Sequence, residues 1–345
     1  MGERLILKGY RRLRIGKSPE LEMGLHLTDA VHYAHCAPVA GVLEYRAKDG
    51  EPRLLAMLQK YVANQGDGWT YALEYLRRHL EVHRTTPATD ALPANAHDPF
   101  LALMRRLAVR TGELHLALAT RTGDPLFDPE RLERADFEAY RQRAAEEAKN
   151  ALALLKPHLE ELTPAERERA GAILARQDQI QKRIEALAAE DKSGTKIRIH
   201  GDYHLGQVLL TKNDFVIIDF EGEPGHSLEE RRAKQSPLRD VAGMLRSFSY
   251  VEHSALRSVA HDEVEHAKLA PLAHTWALEV RSAFLSAYQE TTRGAELYPE
   301  LNPGHGLLGL FELEKALYEL RYELGNRPGW AGIPLQGIVE SGVLE

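Results

Sequence analysis

The stretch that decides the fold is HGDYHLGQVLLTKNDFVIIDFEGEPG, residues 200–225. Two short apolar runs within it, at 208–210 and 215–218, predict a pair of strands joined by a Lys-Asn-Asp turn. A further short strand is predicted at 197–199. We treat residues 196–224 as a β insertion, because the sequence on both sides has the 3.6-residue apolar periodicity of helices.

The order of three oxygen-bearing side chains in this insertion indicates a candidate catalytic site. Asp202 follows the first strand, Gln207 comes five residues later, and Asp219 ends the hairpin. The order is typical of a phosphoryl-transfer catalytic loop, in which one carboxylate accepts a hydroxyl proton while an amide and a second carboxylate bind a metal ion. Mg²⁺ prefers hard oxygen ligands of this kind. Either aspartate alone is more simply interpreted as ending a strand, but the three together favour a catalytic site.

The residues before the insertion divide into two regions. The first is short and β-rich, with strands predicted at 4–8, 39–45 and 53–62. A helix begins at Pro19, where the missing N–H costs nothing. Its inward-facing residues are expected to be Leu21, Leu25 and Ala30.

The second region is helical, and helices return after the insertion. Apolar residues recur at helical spacing from residue 68, and further helices are predicted at 98–114, 134–156, 164–190, 237–250, 263–291 and 307–324. The sequence therefore predicts an α+β protein with a small mixed lobe and a long helical region.

Composition excludes several classes of protein. The chain has 345 residues, a formal charge of −7 and 43% hydrophobic residues, which indicates a folded globular protein. A net acidic chain argues against a nucleic-acid binder. No apolar run approaches the roughly 18 residues of a membrane span, and one cysteine cannot form an internal disulfide. The expected location is the cytoplasm.

Longer segments resemble a known family. HGDYHLGQ, IIDFEGEPG and SPLRDVAGMLRSFSY are similar to the maltokinase family, a branch of the protein-kinase-like fold related to aminoglycoside phosphotransferases. The likeness also covers LILKGYRRL and PELEMG, NQGDGWTYALEYL, and YELRYELGNRPGWAGIPLQGI near the end. It implies a bilobal fold with a truncated small lobe at 1–62 and a mostly helical large lobe at 63–345. It also implies transfer of the γ-phosphoryl group of ATP to the anomeric hydroxyl of maltose, which feeds α-glucan and glycogen synthesis.

The resemblance assigns roles in the catalytic region. Asp202 would orient the sugar hydroxyl and accept its proton. Gln207 and Asp219 would hold Mg²⁺, and Glu221 would either make a second metal contact or order the loop by a hydrogen bond. Two residues are expected to give structural support, His200 and Asp240.

The small lobe would bind the nucleotide. The resemblance makes Lys8 the strand lysine that contacts the phosphates, paired with Glu20 or Glu22, of which Glu22 fits the expected spacing better. The alternative is that Lys8 is an edge-strand lysine that discourages aggregation. The backbone of a hinge that includes Gln59, Tyr61 and Val62 would hold adenine.

The sugar site is expected on the last long helix. Four residues there share one face, which suits a disaccharide as well as ordinary packing: Glu314, Tyr318, Arg321 and Tyr322. His204 lies close enough to the reaction centre in sequence to meet the sugar.

The start of the chain departs from the family. The chain begins four residues before the lysine strand, whereas the family has strands and a phosphate-covering loop in front of it. The expectation is a fragment, or a chain whose missing part belongs elsewhere, such as a trehalose synthase domain. Two alternatives stay open: a kinase for another sugar or aminoglycoside-like acceptor, and an inactive sugar-binding module.

Overall fold

A computed structural model describes residues 4–11, 13–46, 48, 50–85, 96–190, 193–299 and 301–343. The small lobe has a three-stranded antiparallel sheet whose order is β1-β3-β2. Its strands are β1 (Leu5–Gly9), β2 (Val39–Arg46) and β3 (Pro52–Lys60). Helix α1 (Pro19–Leu25) packs on this sheet, so that Leu21, Leu54 and Met57 form a small apolar cluster.

The inward face of α1 differs from the expectation. Leu21 is buried, but Leu25 is 39% exposed and Ala30 is also exposed. The chain continues from α1 as a wider π-helical turn, His26–Ala30, which buries His26 and Leu27 instead. The 3.6-residue spacing fails here because a π turn has a longer period.

The large lobe is a helical body around one continuous core. Its long helices are α2 (Gly68–Thr85), α3 (Asp98–Leu118), α4 (Arg134–Leu155), α5 (Pro164–Ala175), α6 (Gln177–Glu190), α8 (Leu238–Val259), α9 (Glu263–Thr291) and α10 (Gly306–Asn326). The main packing contacts of the lobe are made by the helix pairs α2–α8, α3–α9, α4–α10 and α8–α10. Two short helices, α7 (Leu228–Arg232) and α11 (Gly332–Ile338), complete it. The predicted α+β class is confirmed.

The β insertion contains a short hairpin. Strands β6 (Val208–Thr211) and β7 (Asp214–Ile217) pair in antiparallel register, with Lys212 in the left-handed region at φ 60°. The predicted strand at 197–199 is wrong: β5 (Thr195–Lys196) pairs with β4 (Glu130–Arg131), and only Ile197 makes one further bridge. A few residues further on, the backbone N–H groups of His200 and Gly201 bond to a side chain, as described below.

The helix predicted at 164–190 is broken. Arg176, at φ −118° and ψ 28°, separates α5 from α6. Neither glycine nor proline marks the break, and nothing in the local sequence explains it. In the described part of the chain, each helix is too short or too polar to cross a membrane.

Candidate active site

Asp240 supports the loop that carries Asp202. Its carboxylate accepts hydrogen bonds from the backbone N–H groups of His200 (2.8 Å) and Gly201 (2.9 Å). His115 Nε2 lies 3.3 Å from the same carboxylate. Burial alone would raise the pKa of Asp240, but the hydrogen bond from His115 and the two histidines nearby lower it. The loop backbone is therefore fixed by a buried anion on α8.

His200 joins this loop to the end of the hairpin. Its Nε2 lies 2.9 Å from the carbonyl oxygen of Ile218, and its Nδ1 lies 3.4 Å from the backbone nitrogen of Asp202. Because a carbonyl only accepts, the proton is on Nε2, and Nδ1 accepts from Asp202 N–H. One imidazole thus sets the distance between the two segments that carry Asp202 and Asp219.

Lys8 lies among three carboxylates. Its Nζ is 2.6 Å from Asp219, 2.8 Å from Glu221 and 2.9 Å from Glu20. Burial opposes the charge, but Glu20 above all, and then the hydrogen bonds to Asp219 and Glu221, raise the pKa of Lys8. Tyr10 donates a further hydrogen bond to Glu20. Lys8 is therefore a permanent cation that holds the small lobe against the end of the hairpin.

The predicted partner of Lys8 is corrected by these contacts. Lys8 pairs with Glu20, whereas Glu22 binds Arg232 with two bonds of 2.7 and 2.8 Å and lies 3.4 Å from Arg198. Residues two apart on a helix point about 200° apart, so the two glutamates face different lobes. Glu22 therefore has no contact with the lysine cluster.

The residues around Asp219 fit a magnesium ion. Gln207 Nε2 lies 3.4 Å from Asp219 Oδ2, so the amide and the carboxylate are adjacent as expected. Glu20, Asp219 and Glu221 can each bring one oxygen within 4.8 Å of the others. All these donors are hard oxygens. Asp219 itself has φ 65°, a strained conformation of the kind that is retained at functional sites. The Lys8 ammonium lies between these three carboxylates, so Glu20 serves as the lysine partner while Asp219 and Glu221 also face Gln207 or solvent.

Asp202 and His204 line a large cavity of about 1050 Å³ in the large lobe. The four residues predicted on α10 also line it: Glu314, Tyr318, Arg321 and Tyr322. Burial lowers the pKa of His204, so its ring is neutral, and Nδ1 accepts a bond from Gly206 N–H at 3.0 Å.

Several charges in this cavity are already paired. Glu314 binds Arg239 at 3.0–3.1 Å, and Arg321 binds Glu147 at 2.7 Å. These pairs form the wall and leave Tyr322, 45% exposed, at its rim.

Sequence reasoning missed Glu223 and Lys315 in the cavity wall. Lys315 Nζ lies 3.4 Å from the Glu223 carboxylate and 4.8 Å from the centre of the Tyr318 ring. Burial opposes its charge, but Glu223 and then Asp202 raise the pKa of Lys315. The EGE sequence after Asp219 was the only local indication of Glu223, and nothing local indicated Lys315.

The predicted hinge lies where β3 leaves the small lobe. Gln59 is near the end of β3, and Tyr61 N–H bonds to the Arg4 carbonyl at 2.9 Å. The carbonyl of Val62 accepts a bond from the Asn64 side chain at 2.9 Å. Gln65 N–H then bonds to Leu210 at 2.8 Å, which ties the hinge to the hairpin. Adenine binding at Gln59, Tyr61 and Val62 stays a prediction.

Comparisons with known proteins show one family whose model matches most of the chain. A model of the phosphotransferase enzyme family (APH) matches residues 4–272. A glucosamine kinase from Streptacidiphilus jiangxiensis is 29% identical over 289 residues, which are 84% of this chain and 58% of that protein. A glucosamine kinase from Mycolicibacterium smegmatis is 26% identical over 296 residues, which are 85% of this chain and 64% of that protein. The chain therefore spans about three fifths of the length of these relatives.

A solved structure shares the fold. The structure described as glucosamine kinase in complex with glucosamine, ADP and inorganic phosphate has a TM-score of 0.76 at 24% identity, over 98% of this chain and 72% of that one. A second crystal form of a glucosamine kinase gives a TM-score of 0.74 over 98% of this chain and 74% of that one, also at 24% identity.

Proposed function

Because the chain belongs to the phosphotransferase enzyme family, we propose that it transfers the γ-phosphoryl group of ATP to a hydroxyl group of a sugar. One observation carries the proposal. His200 bonds to Ile218 at 2.9 Å and so holds Asp202, in the wall of the large cavity, beside the segment that carries Asp219. One imidazole thus joins the segment that carries the proposed base to the segment that carries the charged cluster.

Each side chain has a task that its position supports. Asp202 orients the acceptor hydroxyl and takes its proton as the new bond forms. Lys8, held by Glu20, binds the phosphates of the nucleotide. Asp219, Gln207 and Glu221 would hold Mg²⁺, which neutralises phosphate charge when bound. Asp240 and His200 keep the catalytic loop in place.

The acceptor is proposed to be a sugar related to glucosamine. The support is the relatives named above, both glucosamine kinases. They give no support to maltose, which the sequence resemblance implied. Maltose remains a second candidate on one observation. The cavity of about 1050 Å³ is slightly larger than the usual range for small-molecule sites, roughly 300–1,000 Å³, and has room for a second ring. No support was found for a trehalose synthase partner, and it forms no part of the proposal.

A panel of acceptors tests the proposal. ADP release with ATP and Mg²⁺ should be stimulated by glucosamine or by maltose and not by an aminoglycoside, and mass spectrometry should find one phosphate on the sugar. Asp202→Asn should abolish this turnover and leave ADP affinity nearly unchanged. Asp178→Asn, on the surface of α6, is the matched control and should behave as wild type.

Two results would contradict the proposal. Binding of a sugar without any binding of ATP or ADP would indicate an inactive sugar-binding module. Undiminished turnover in Asp202→Asn would remove Asp202 as the base.

A further inference from the structure

A second, smaller cavity of about 270 Å³ adjoins the lysine cluster. Lys8 and Glu221 line it on the side of the cluster. Three arginines also line it: Arg11 and Arg14, from the segment between β1 and α1, and Arg231, from α7. Lys8 is paired with three carboxylates, so the positive charge that the cavity offers to an anion comes from the three arginines.

Two of these arginines are unpaired. Across the described ranges, neither Arg11 nor Arg14 forms an ion pair or a side-chain hydrogen bond, although most arginines of the large-lobe cavity are paired with glutamates. Arg14 is half-buried and lies close enough to Arg231 for their charges to repel. Glu221, Asp202 and Glu223 offset part of this repulsion at Arg231, but Arg14 itself has no ion-pair partner in the described ranges. A bound anion would remove that repulsion.

Arg231 lines both cavities. Its guanidinium donates to three backbone carbonyls, those of His226 at 3.1 Å, Glu221 at 3.4 Å and Pro224 at 2.5 Å. A guanidinium has five N–H groups, so two remain for another acceptor. The side chain also crosses Gly222, where a Cβ would lie 3.2 Å from Arg231 Cβ and Cγ and where φ is 71°. Glycine at this position lets the arginine lie flat against the loop.

We propose that the smaller cavity binds the phosphate chain of the nucleotide, with Arg11 and Arg14 on its outer phosphates and Arg231 on the phosphoryl group that moves to the sugar. This inference rests on the proposed function. In the transfer, the bond between the γ-phosphorus and the bridging oxygen breaks and its electron pair leaves with ADP. The sugar oxygen forms the new bond to phosphorus, and its proton goes to Asp202.

The position of Arg231 suits this role for a physical reason. Charge on the phosphoryl oxygens has to be neutralised on both sides of the transfer, and a guanidinium can contact two oxygens at once. Because Arg231 is held by main-chain bonds, it needs no reorganisation when the charge shifts. Lys8 shares its charge among three carboxylates, so a second cation beside it adds to the neutralisation of the phosphates.

Binding of AMP, ADP, ATP and tripolyphosphate, measured by calorimetry, tests the inference. Arg14→Gln and Arg11→Gln should each weaken the binding of ATP about tenfold (about 1.4 kcal/mol). Binding of ADP should weaken less, and binding of AMP should not change. Tripolyphosphate should follow ATP. Arg46→Gln, on an exposed strand residue outside both cavities, is the control and should bind all four as wild type.

Arg231 needs a separate measurement, because it also holds the loop. Arg231→Lys keeps the charge but cannot make the same fork, so kcat should fall at least tenfold while the KM for ATP changes less. A fall in melting temperature without this kcat-against-KM split would assign Arg231 to loop structure alone and overturn its part in the transfer.

The outcomes separate this inference from the proposed function. If the arginine variants lose affinity equally for AMP, ADP and ATP, or lose none, the phosphate site is overturned even if the wild type phosphorylates a sugar. Arginine-dependent binding of tripolyphosphate by a wild type that phosphorylates no sugar would support the phosphate site and overturn the proposed function.

Discussion

Glu22 should be a main source of stability where the two lobes meet. It joins α1 to Arg232 on α7 and to Arg198, two residues before the catalytic loop. The Arg198 side chain is only 1% exposed and meets Glu22 through one terminal nitrogen. In the described structure, its Nε and its other terminal nitrogen have no hydrogen-bond partner. Glu22→Ala would leave that guanidinium buried without its ion-pair partner.

The expected loss follows from burial. Removing one partner of a buried ion pair costs about 3–5 kcal/mol, since the remaining charge stays out of water. The Arg232 side chain is 31% exposed, so its share is that of a surface pair, about 1 kcal/mol or less. We expect Glu22→Ala to lower the free energy of unfolding by about 3 kcal/mol.

Urea unfolding measures this, and a second variant makes the cause specific. Glu138→Ala on α4 is the control, because Glu138 also binds an arginine with two bonds but lies on an exposed face, and it should change little. Adding Arg198→Met to Glu22→Ala should restore most of the lost free energy of unfolding, since the buried charge without a partner is removed. If Glu22→Ala costs no more than Glu138→Ala, or if Arg198→Met restores nothing, the reasoning fails.

Three further changes have definite expected results. In Asp240→Asn, the asparagine side chain has one oxygen to accept hydrogen bonds from the two N–H groups of His200 and Gly201. The free energy of unfolding, measured with urea, should fall by about 1–3 kcal/mol, and kcat should also fall. Burial, and then two neighbouring histidines, lower the pKa of His79 to about 4. The unfolded chain takes up this proton near pH 6.5, so the free energy of unfolding should be highest above that pH. It should fall by about 2 kcal/mol towards pH 4, a value reduced because the ring is only partly buried. His79→Gln should flatten that part of the pH profile, and an unchanged slope would exclude His79 as its source. Burial raises the pKa of the Cys36 thiol to about 12, so the native protein should not react with a thiol reagent at pH 8, whereas the urea-unfolded chain should release one equivalent.

Local features were predictable because their determinants are close in sequence. The hairpin follows from two apolar runs around a polar turn, and α5 begins where Thr163 and Glu166 form a capping box around Pro164. The adjacency of Gln207 and Asp219 followed from the hairpin itself, since Gln207 immediately precedes β6 and Asp219 follows β7.

Partner choice across the lobes was not predictable. Glu20 and Glu22 are on the same turn of α1, and the sequence does not tell which side of that helix faces β1. The answer depends on how α1 packs on the sheet, through Leu21 and Met57. The same limit applies to Lys315, which α10 brings to Glu223 from 92 positions away in the chain.

The segment from Asp219 to Arg232 connects the proposed nucleotide site to the proposed acceptor site. Asp219 binds Lys8 in the small lobe, and Glu223 binds Lys315 in the wall of the acceptor cavity. Arg231 holds the loop between them, and Arg232 ties the same segment to α1 through Glu22. A displacement of Glu223 by an acceptor would therefore act on a short loop whose other end is fixed to Lys8, the lysine proposed to bind phosphate. It follows that substitutions that change sugar preference at Glu223 or Lys315 should also change the affinity for ATP, because one rigid segment carries both contacts.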